Sequence, residues 1–293
     1  MQNPQQQRFG AHMSIAGGVQ NAFDHATNAG CDCLQVFVKN QRQWNAKPFT
    51  DDAIRAWREA RAASRISPVV AHNTYLINLG SPESVNRKKS IDAFVDELER
   101  CEQLEIPYLV AHPGSHVGEG EANGLKRIAA SLNEIHQQTR GLKVVTLLET
   151  TAGQGTNLGY RFEHLREIID RAEQPERLAV CVDTCHISAA GYDIVSEEGY
   201  AETIAALDDI VGVPSIKCFH VNDSKTPTGS RVDRHEHIGK GSLTRKAFRH
   251  LVNDSRFFSV PMILETPKGE DAKGRDLDKV NLATLRRLIN RSR

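Results

Sequence analysis

The 293-residue sequence lacks several features that would assign a protein class on their own. It has no apolar run close to the ~20 residues that a membrane-spanning helix needs, which argues against a membrane protein. Its six cysteines include no Cys-x-x-Cys pair, which disfavours both a thiolate zinc site and a thioredoxin-type motif. No Gly/Ser-rich linker, charge block or low-complexity stretch marks a domain boundary. We therefore expect one domain whose cysteines are reduced and buried.

The sequence also has no net charge, since 37 basic side chains balance 37 acidic ones. Taken alone, this balance argues mildly against a nucleic-acid partner, because such proteins usually carry a basic surface. Bound divalent ions would still give a neutral chain a positive pocket for phosphate. The start of the chain lacks the basic and apolar regions of a secretory signal. We expect a flexible tail over residues 1–7 and a cytoplasmic location.

Apolar runs rich in β-branched residues recur along the chain, and six of them end on a metal-binding type of residue, as residues 69–71 do before His72. The six residues are His72, His112, Glu149, Asp183, His220 and Glu265. Such runs are typical of buried parallel strands. Two earlier runs, at 8–12 and 33–38, bring the number of βα units to about eight. The pattern predicts an α/β fold, a TIM-type (β/α)8 barrel over residues 8–293, with its active site at the C-terminal ends of the strands.

Helical patterns separate these runs and show apolar residues with a period near 3.6. They cover residues 84–104, 125–139, 161–172, 201–211 and 243–252. Cap-type residues followed by acids, Thr50-Asp51-Asp52 and Ser81-Pro82-Glu83, mark two helix starts. The loops that follow the strands are long and polar, whereas the opposite connections are short. We expect the long loops to build the site on one face of the barrel.

Two short motifs extend the set of candidate ligands. In Asp183-Thr-Cys-His186 the histidine lies one helical turn beyond the acid, so both can face the barrel mouth. Asp233 and His235 are two residues apart, and an extended loop would place them on one side. His237 continues that alternation, so its contribution stays open, as does that of His116.

The nine candidates offer imidazoles and carboxylates without thiolates, which suits zinc or manganese in a catalytic site. Nine ligands are too many for one tetrahedral ion and about right for three ions with one bridging carboxylate. Closely spaced metal ions favour phosphoryl chemistry. The sequence therefore predicts a trinuclear centre that acts on a phosphate ester.

The motifs as a set resemble endonuclease IV, the metal-dependent apurinic/apyrimidinic endonuclease family of base-excision repair. The matching segments are Gly10-Ala-His-Met-Ser-Ile-Ala-Gly-Gly18, Lys39-Asn-Gln-Arg-Gln-Trp44, His72-Asn-Thr-Tyr-Leu-Ile-Asn-Leu79, His112-Pro-Gly-Ser-His116, Glu149-Thr-Thr-Ala-Gly-Gln-Gly155, Asp183-Thr-Cys-His186, His220-Val-Asn-Asp-Ser-Lys225, Gly229-Ser-Arg-Val-Asp-Arg-His235 and Leu264-Glu-Thr266. They follow the family order over nearly the whole chain, and no expected ligand is missing.

The resemblance implies a hydrolase with three Zn²⁺ ions per chain, with Mn²⁺ as an option at one site. The implied ligands are His72, His112 and Glu149 for the first ion, Glu149, Asp183, His220 and Glu265 for the second, and His186, Asp233 and His235 for the third. Glu149 and Glu265 are the implied catalytic residues. The implied reaction cuts double-stranded DNA 5′ to an abasic site, leaves a 3′-hydroxyl, and extends to trimming of blocked 3′ ends. We expect a monomer.

Arg42 and Tyr75 are the candidate DNA-binding residues, because arginine and tyrosine suit entry into a groove and the gap left by an extruded nucleotide. Packing within the loops is the alternative for both, and Trp44 is interpreted as structural. Two other functions remain open at this point. One is a divalent-metal sugar isomerase or epimerase on the same barrel. The other is a non-catalytic zinc or DNA-binding module.

Overall fold

The computed structural model describes residues 7–290, in which eight parallel strands close into a barrel. Each strand pairs with its neighbours in chain order, and the first pairs with both the second and the last. The barrel strands are β1 (Arg8–Met13), β2 (Cys33–Phe37), β3 (Val69–His72), β4 (Tyr108–Ala111), β6 (Val145–Glu149), β8 (Leu178–Asp183), β9 (Ile216–His220) and β12 (Pro261–Leu264). The predicted (β/α)8 barrel is confirmed.

Helices cover the outside of the barrel, and short strands pair in the loops at its mouth. The helices are α1 (Asn21–Ala29), α2 (Asp51–Ala63), α3 (Ser84–Gln103), α4 (Glu121–Gln138), α5 (Phe162–Asp170), α6 (Thr184–Ala190), α7 (Glu197–Ile210), α8 (Thr244–Val252) and α9 (Leu277–Leu288). The short antiparallel pairs are β5 (Gly114–Ser115) with β7 (Asn157–Leu158), and β10 (Asp223–Ser224) with β11 (His235–Glu236).

The two predicted helix starts differ in outcome. Thr50 is the N-cap of α2, and its side chain accepts a hydrogen bond from the Ala53 amide at 3.2 Å. In the second case Glu83, not Ser81, occupies the N-cap position of α3, and its side chain makes no capping hydrogen bond. The Ser81 hydroxyl instead contacts the Glu83 carbonyl at 3.5 Å. The helix start predicted here is confirmed, because α3 begins at Ser84, but Ser81 is not its N-cap.

Side chains alternate along each barrel strand between the helices and the barrel interior. The buried interior cluster contains Cys33, Val70, Val110, Leu147, Ala179, Cys181, Cys218 and Ile263. Seven of these residues are followed, two positions later in the chain and closer to the mouth, by a polar residue. The polar residues are Gln35, His72, His112, Glu149, Asp183, His220 and Glu265. Gly10 and His12 have the same relation on β1. The barrel thus carries one polar side chain per strand directly above an apolar floor.

Gly10 on β1 lies against the backbone of Cys33 on β2. A Cβ atom at this position would lie 2.0 Å from the Cys33 carbonyl oxygen, so only glycine fits.

Gln7, assigned above to a flexible tail, is buried, and its side-chain amide donates to the Val252 carbonyl at 2.5 Å. The tail prediction is wrong for Gln7, and its other residues, 1–6, lie outside the described part. Within residues 7–290, no helix is both long and apolar enough to cross a membrane.

His136 on α4 is buried away from the barrel mouth, and neither ring nitrogen has a hydrogen-bond partner within residues 7–290. Burial, together with the charge of Arg177, lowers the pKa of His136 to about 4. As the pH falls, His136 is protonated near pH 6.5 in the unfolded chain but only near pH 4 in the folded one. His136 therefore contributes stability above pH 6.5 that is lost as the pH falls towards 4.

We predict that His136→Leu reduces the acid sensitivity of the fold. Between pH 7.5 and pH 5 the wild type should lose about 2 kcal/mol more unfolding free energy than the variant, at ~1.4 kcal/mol per pH unit between the two pKa values. Urea denaturation of both proteins in the same chelator-containing buffer measures the difference. Equal losses would show that His136 is not the group responsible.

Candidate metal centre

Glu149, at the C-terminal end of β6, is the centre of the polar ring at the barrel mouth. Its side chain has no exposed surface and contacts four imidazoles. Oε2 lies 3.1 Å from His72 Nε2 and 3.2 Å from His112 Nε2. Oε1 lies 2.9 Å from His220 Nδ1 and 3.3 Å from His186 Nδ1. The two oxygens of one carboxylate therefore face different groups of histidines.

The nine predicted ligands come together in three groups, in each of which the potential ligand atoms lie within 4.8 Å of one another. The groups are His72, His112 and Glu149; Glu149, Asp183, His220 and Glu265; and His186, Asp233 and His235. Glu149 belongs to two of them. This is the same grouping that the sequence resemblance implied.

The second and third groups are equally compact. His220 Nδ1 lies 3.3 Å from Glu265 Oε2 and 3.9 Å from Asp183 Oδ2. The two oxygens of Asp233 approach Nε2 of His186 at 3.1 Å and Nε2 of His235 at 3.3 Å. Asp233 lies in the loop before β11 and His235 is the first residue of β11. Both side chains reach towards His186 on α6, on one side of the segment as their spacing predicted.

The histidines are oriented as metal ligands are, with one ring nitrogen hydrogen-bonded and the other facing the site. Nδ1 contacts a backbone carbonyl in His72 (Asn73, 2.7 Å), His186 (Thr150, 2.8 Å) and His235 (Glu265, 3.2 Å). Nε2 of His186 and of His235 is buried and makes no hydrogen bond of proper geometry within residues 7–290, although the oxygens of Asp233 lie 3.1 and 3.3 Å away. A buried nitrogen that faces a carboxylate without a hydrogen bond is costly unless a cation lies between them. These atoms fit a metal ion.

The charges at the centre are strongly coupled. Burial alone would raise the pKa of Glu149, but His220 and His112 hold it well below the usual range of a carboxyl group. Burial alone would lower the pKa of His220, but Glu265 and Glu149 hold it well above the usual range of an imidazole. The carboxylates therefore attract positive charge into a buried space. Metal ions would displace these protons, so their binding weakens as the pH falls.

Two other groups of potential ligands include cysteine: Cys181 and Cys218 with His220, and Asp183 and Cys185 with His235. Burial raises the pKa of Cys181 well above that of an ordinary thiol, and that of Cys185 to about 12. A thiol must lose its proton to bind a metal ion. The imidazole and carboxylate groups are therefore the better sites.

The histidines left open by the sequence lie outside the three groups. His237 Nδ1 accepts a hydrogen bond from Asn281 on α9 at 3.0 Å, although it continues the alternation of Asp233 and His235. His116 Nδ1 accepts from the Gly120 amide at 3.1 Å and closes a turn. Neither residue is among the potential metal ligands within residues 7–290.

Sequence reasoning missed three polar residues that support the ligands. Asn222 donates to Asp183 Oδ2 at 2.7 Å and accepts from the Glu265 amide at 2.8 Å. Gln35 and His12, on β2 and β1, complete the polar ring beside Glu265. Their positions on the strands were the available signal: His12 ends the run 8–12, and Gln35 lies inside the run 33–38.

Arg42 and Tyr75 lie on the loops that follow β2 and β3. Tyr75 is 61% exposed, and its ring centroid lies 5.7 Å from that of His72 and 6.0 Å from that of His112. The Arg42 side chain is exposed, and its guanidinium makes no ion pair within residues 7–290. Both side chains are therefore available to a ligand, and Tyr75 borders the candidate metal site.

A buried ion pair holds these two loops together. Lys39 Nζ lies 3.2 Å from Glu97 Oε1, and both side chains have no exposed surface. Lys39 also donates to the Trp44 carbonyl at 3.2 Å, beyond Arg42 on the same loop. Glu97 accepts from the Thr74 amide at 3.2 Å, next to Tyr75. Removing Lys39 would leave Glu97 buried without its cation, which typically costs 3–5 kcal/mol. Lys39 itself has a second partner, since its Nζ also lies 3.0 Å from Asp96 Oδ2.

Comparison with known proteins agrees with this description. The profile of the xylose isomerase-like TIM barrel family matches residues 23–287. A probable endonuclease 4 from Chloroflexus aurantiacus is 55% identical over 96% of this chain and 98% of that protein. The crystal structure of endonuclease IV from Thermus thermophilus superposes with a TM-score of 0.84 at 35% identity, over 96% of this chain and 98% of that chain. D-psicose 3-epimerase from Clostridium cellulolyticum (TM-score 0.70, 13% identity, 97% and 100% coverage) shares the fold alone.

We predict that Asp233→Asn lowers the bound zinc by one ion per chain. The change removes the charge that faces both His186 and His235, and leaves the other two groups intact. Atomic absorption after dialysis against metal-free buffer measures the content. Asp92→Asn, which changes an exposed acid on α3, is the matched control and should retain the wild-type content. Equal zinc in both variants would contradict the assignment of the third group.

Proposed function

The chain belongs to the endonuclease IV family, and from this premise we propose that it is a metal-dependent DNA-repair endonuclease that hydrolyses the phosphodiester bond 5′ to an abasic site. The observation that carries the proposal is the convergence of nine imidazole and carboxylate side chains into three groups around Glu149. The products would be a 3′-hydroxyl and a 5′-phosphate on the abasic sugar. The same chemistry would remove blocking groups from 3′ ends.

The proposed cofactor is three Zn²⁺ ions, with Mn²⁺ possible at one site. His72, His112 and Glu149 would hold the first ion, and Glu149 would be shared with the second. Asp183, His220 and Glu265 complete the second set, and His186, Asp233 and His235 form the third. When bound, such ions activate water near neutral pH and neutralise charge on the phosphoryl and leaving oxygens.

The protein's own side chains supply position and charge. Glu149, buried and held by four imidazoles, fixes the distance between the first two groups. Arg42 would contact the DNA backbone or groove, and Tyr75 would fill the space left by the extruded abasic nucleotide. The Lys39–Glu97 ion pair would hold these two loops in a fixed position beside the metal centre. In-line attack by water then breaks the bond between phosphorus and the 3′-oxygen, which leaves as the hydroxyl.

One barrel supplies every residue named above, which supports a single catalytic domain over residues 8–293 that acts as a monomer on duplex DNA. The sugar isomerase or epimerase alternative rests on a likeness of fold alone. A purely structural zinc site would normally be enclosed by four protein ligands. Here His112 and Asp233 are about one-third exposed at the mouth, so substrate can reach the centre.

We predict incision of a labelled duplex that carries one abasic site, and loss of incision with a chelator. Glu265→Gln should lose most of the activity, about 10- to 100-fold, because a neutral amide replaces a charged ligand. Denaturing electrophoresis and extension by a polymerase identify the 3′-hydroxyl product. No incision by zinc-loaded wild type would overturn the proposal. Turnover of free ketoses by the same protein would favour the epimerase instead.

We also predict that Arg42→Ala and Tyr75→Ala each weaken binding of the abasic duplex about tenfold or more, since one stacking contact is worth ~1–3 kcal/mol. Zinc content should not change, because neither residue lies in the ligand groups. Arg171→Ala, beyond the C-terminal end of α5, is the matched control and should bind as the wild type does. Loss of zinc in either loop variant would show a structural role.

A further inference from the structure

His220 differs from His72, His186 and His235 in the hydrogen-bond partner of the ring nitrogen that faces away from the metal site. For His72, His186 and His235 this partner is a backbone carbonyl, which the fold itself fixes. For His220 it is a side chain, because Nε2 lies 2.8 Å from Oε1 of Gln35. The orientation of this one ligand therefore depends on the identity of a single residue.

The hydrogen bonds around Gln35 fix which way its amide points. The Gln35 Nε2 atom lies 2.6 Å from Oε1 of Glu265 and 2.9 Å from Nδ1 of His12. A carboxylate accepts hydrogen bonds and donates none, so the NH₂ group must face Glu265. Oε1 then faces His220 and accepts, which requires a proton on Nε2 of that imidazole. The remaining nitrogen, Nδ1, is the one that faces Glu149, Asp183 and Glu265.

We propose that Gln35 is a positioning residue of the second metal site: it fixes the tautomer and ring orientation of His220 and, through the same amide, the rotamer of Glu265. The inference rests on the proposed function, because it takes those two residues to be metal ligands. One amide thus connects a neutral ligand and a charged ligand of the same ion.

The surroundings of Gln35 match a positioning role better than space filling. The side chain has no exposed surface, and it lies on β2 in the ring that carries the ligands. Both ends of its amide are paired with side chains of that ring, so the amide of Gln35 itself has no unpaired polar atom. A methionine of similar length would fill the space but leave His220 Nε2 and one oxygen of Glu265 without this partner.

The first test compares Gln35→Met with Leu34→Met in the zinc-loaded, full-length protein. Leu34 is equally buried on the same strand but packs in the outer core, so it controls for the loss of packing. Competition with a chromophoric zinc chelator should show one of three zinc ions bound 10- to 100-fold more weakly in Gln35→Met, which is the usual effect of losing an orienting partner. The other two ions, and all three in Leu34→Met, should bind as in the wild type.

The second test needs no variant and so does not depend on how Gln35→Met folds. Long-range ¹H–¹⁵N spectra of the zinc-loaded wild type, labelled at histidine and assigned with His220→Gln, should show His220 protonated at Nε2. A proton on Nδ1 would overturn the inference, as would wild-type zinc affinities in a folded Gln35→Met. Those results would leave the proposed function standing. A wild type that binds no zinc would instead contradict the proposed function, and the role of Gln35 with it.

Discussion

The carboxylate of Glu149, removed from water at the mouth of the barrel, imposes the arrangement of everything around it. A charge in such a place is very unfavourable unless opposite charges or hydrogen-bond donors surround it. The contacts that meet this need come from His72 on β3, His112 after β4, His220 on β9 and His186 on α6. Because these imidazoles converge on one small group, their remaining partners, Asp183, Asp233 and Glu265, are drawn into the same space. A cluster of this composition is poised to exchange its protons for metal ions.

The closed parallel barrel makes this convergence possible with little local specialisation. Each strand presents alternate residues to the interior, so the last inward-facing side chains of eight staggered strands together line the barrel mouth. The level below is filled by apolar residues such as Val70, Leu147 and Ile263, which form a floor under the metal centre. The loops above the ring add the third ligand group and the exposed side chains of Arg42 and Tyr75. The barrel geometry therefore brings the strand ends together at the site. The identity of the side chains at those ends distinguishes this chain from sugar epimerases of the same fold.

Much of this arrangement could be predicted from the sequence, because a buried strand that ends on a histidine or an acid is a local pattern. Six strands and their terminal residues were found in this way, and the spacing of Asp233 and His235 predicted their common side. Gln35 was missed because the apolar run on β2 continues to Val38, so the residue that faces the mouth lies inside the run. The Lys39–Glu97 pair was missed because its partners are 58 positions apart and carry no local signal. For His237, alternation predicted the side of the loop but not the competing hydrogen bond from Asn281.

Zinc-edge anomalous diffraction from crystals of the zinc-loaded protein would show whether Glu149 is the shared ligand of three zinc ions, as we propose. We expect three anomalous peaks, one at each ligand group, with the two peaks beside Glu149 each in contact with one of its oxygens. A single peak, or a peak beside the buried thiols of Cys181 and Cys218 in place of these, would contradict this proposal.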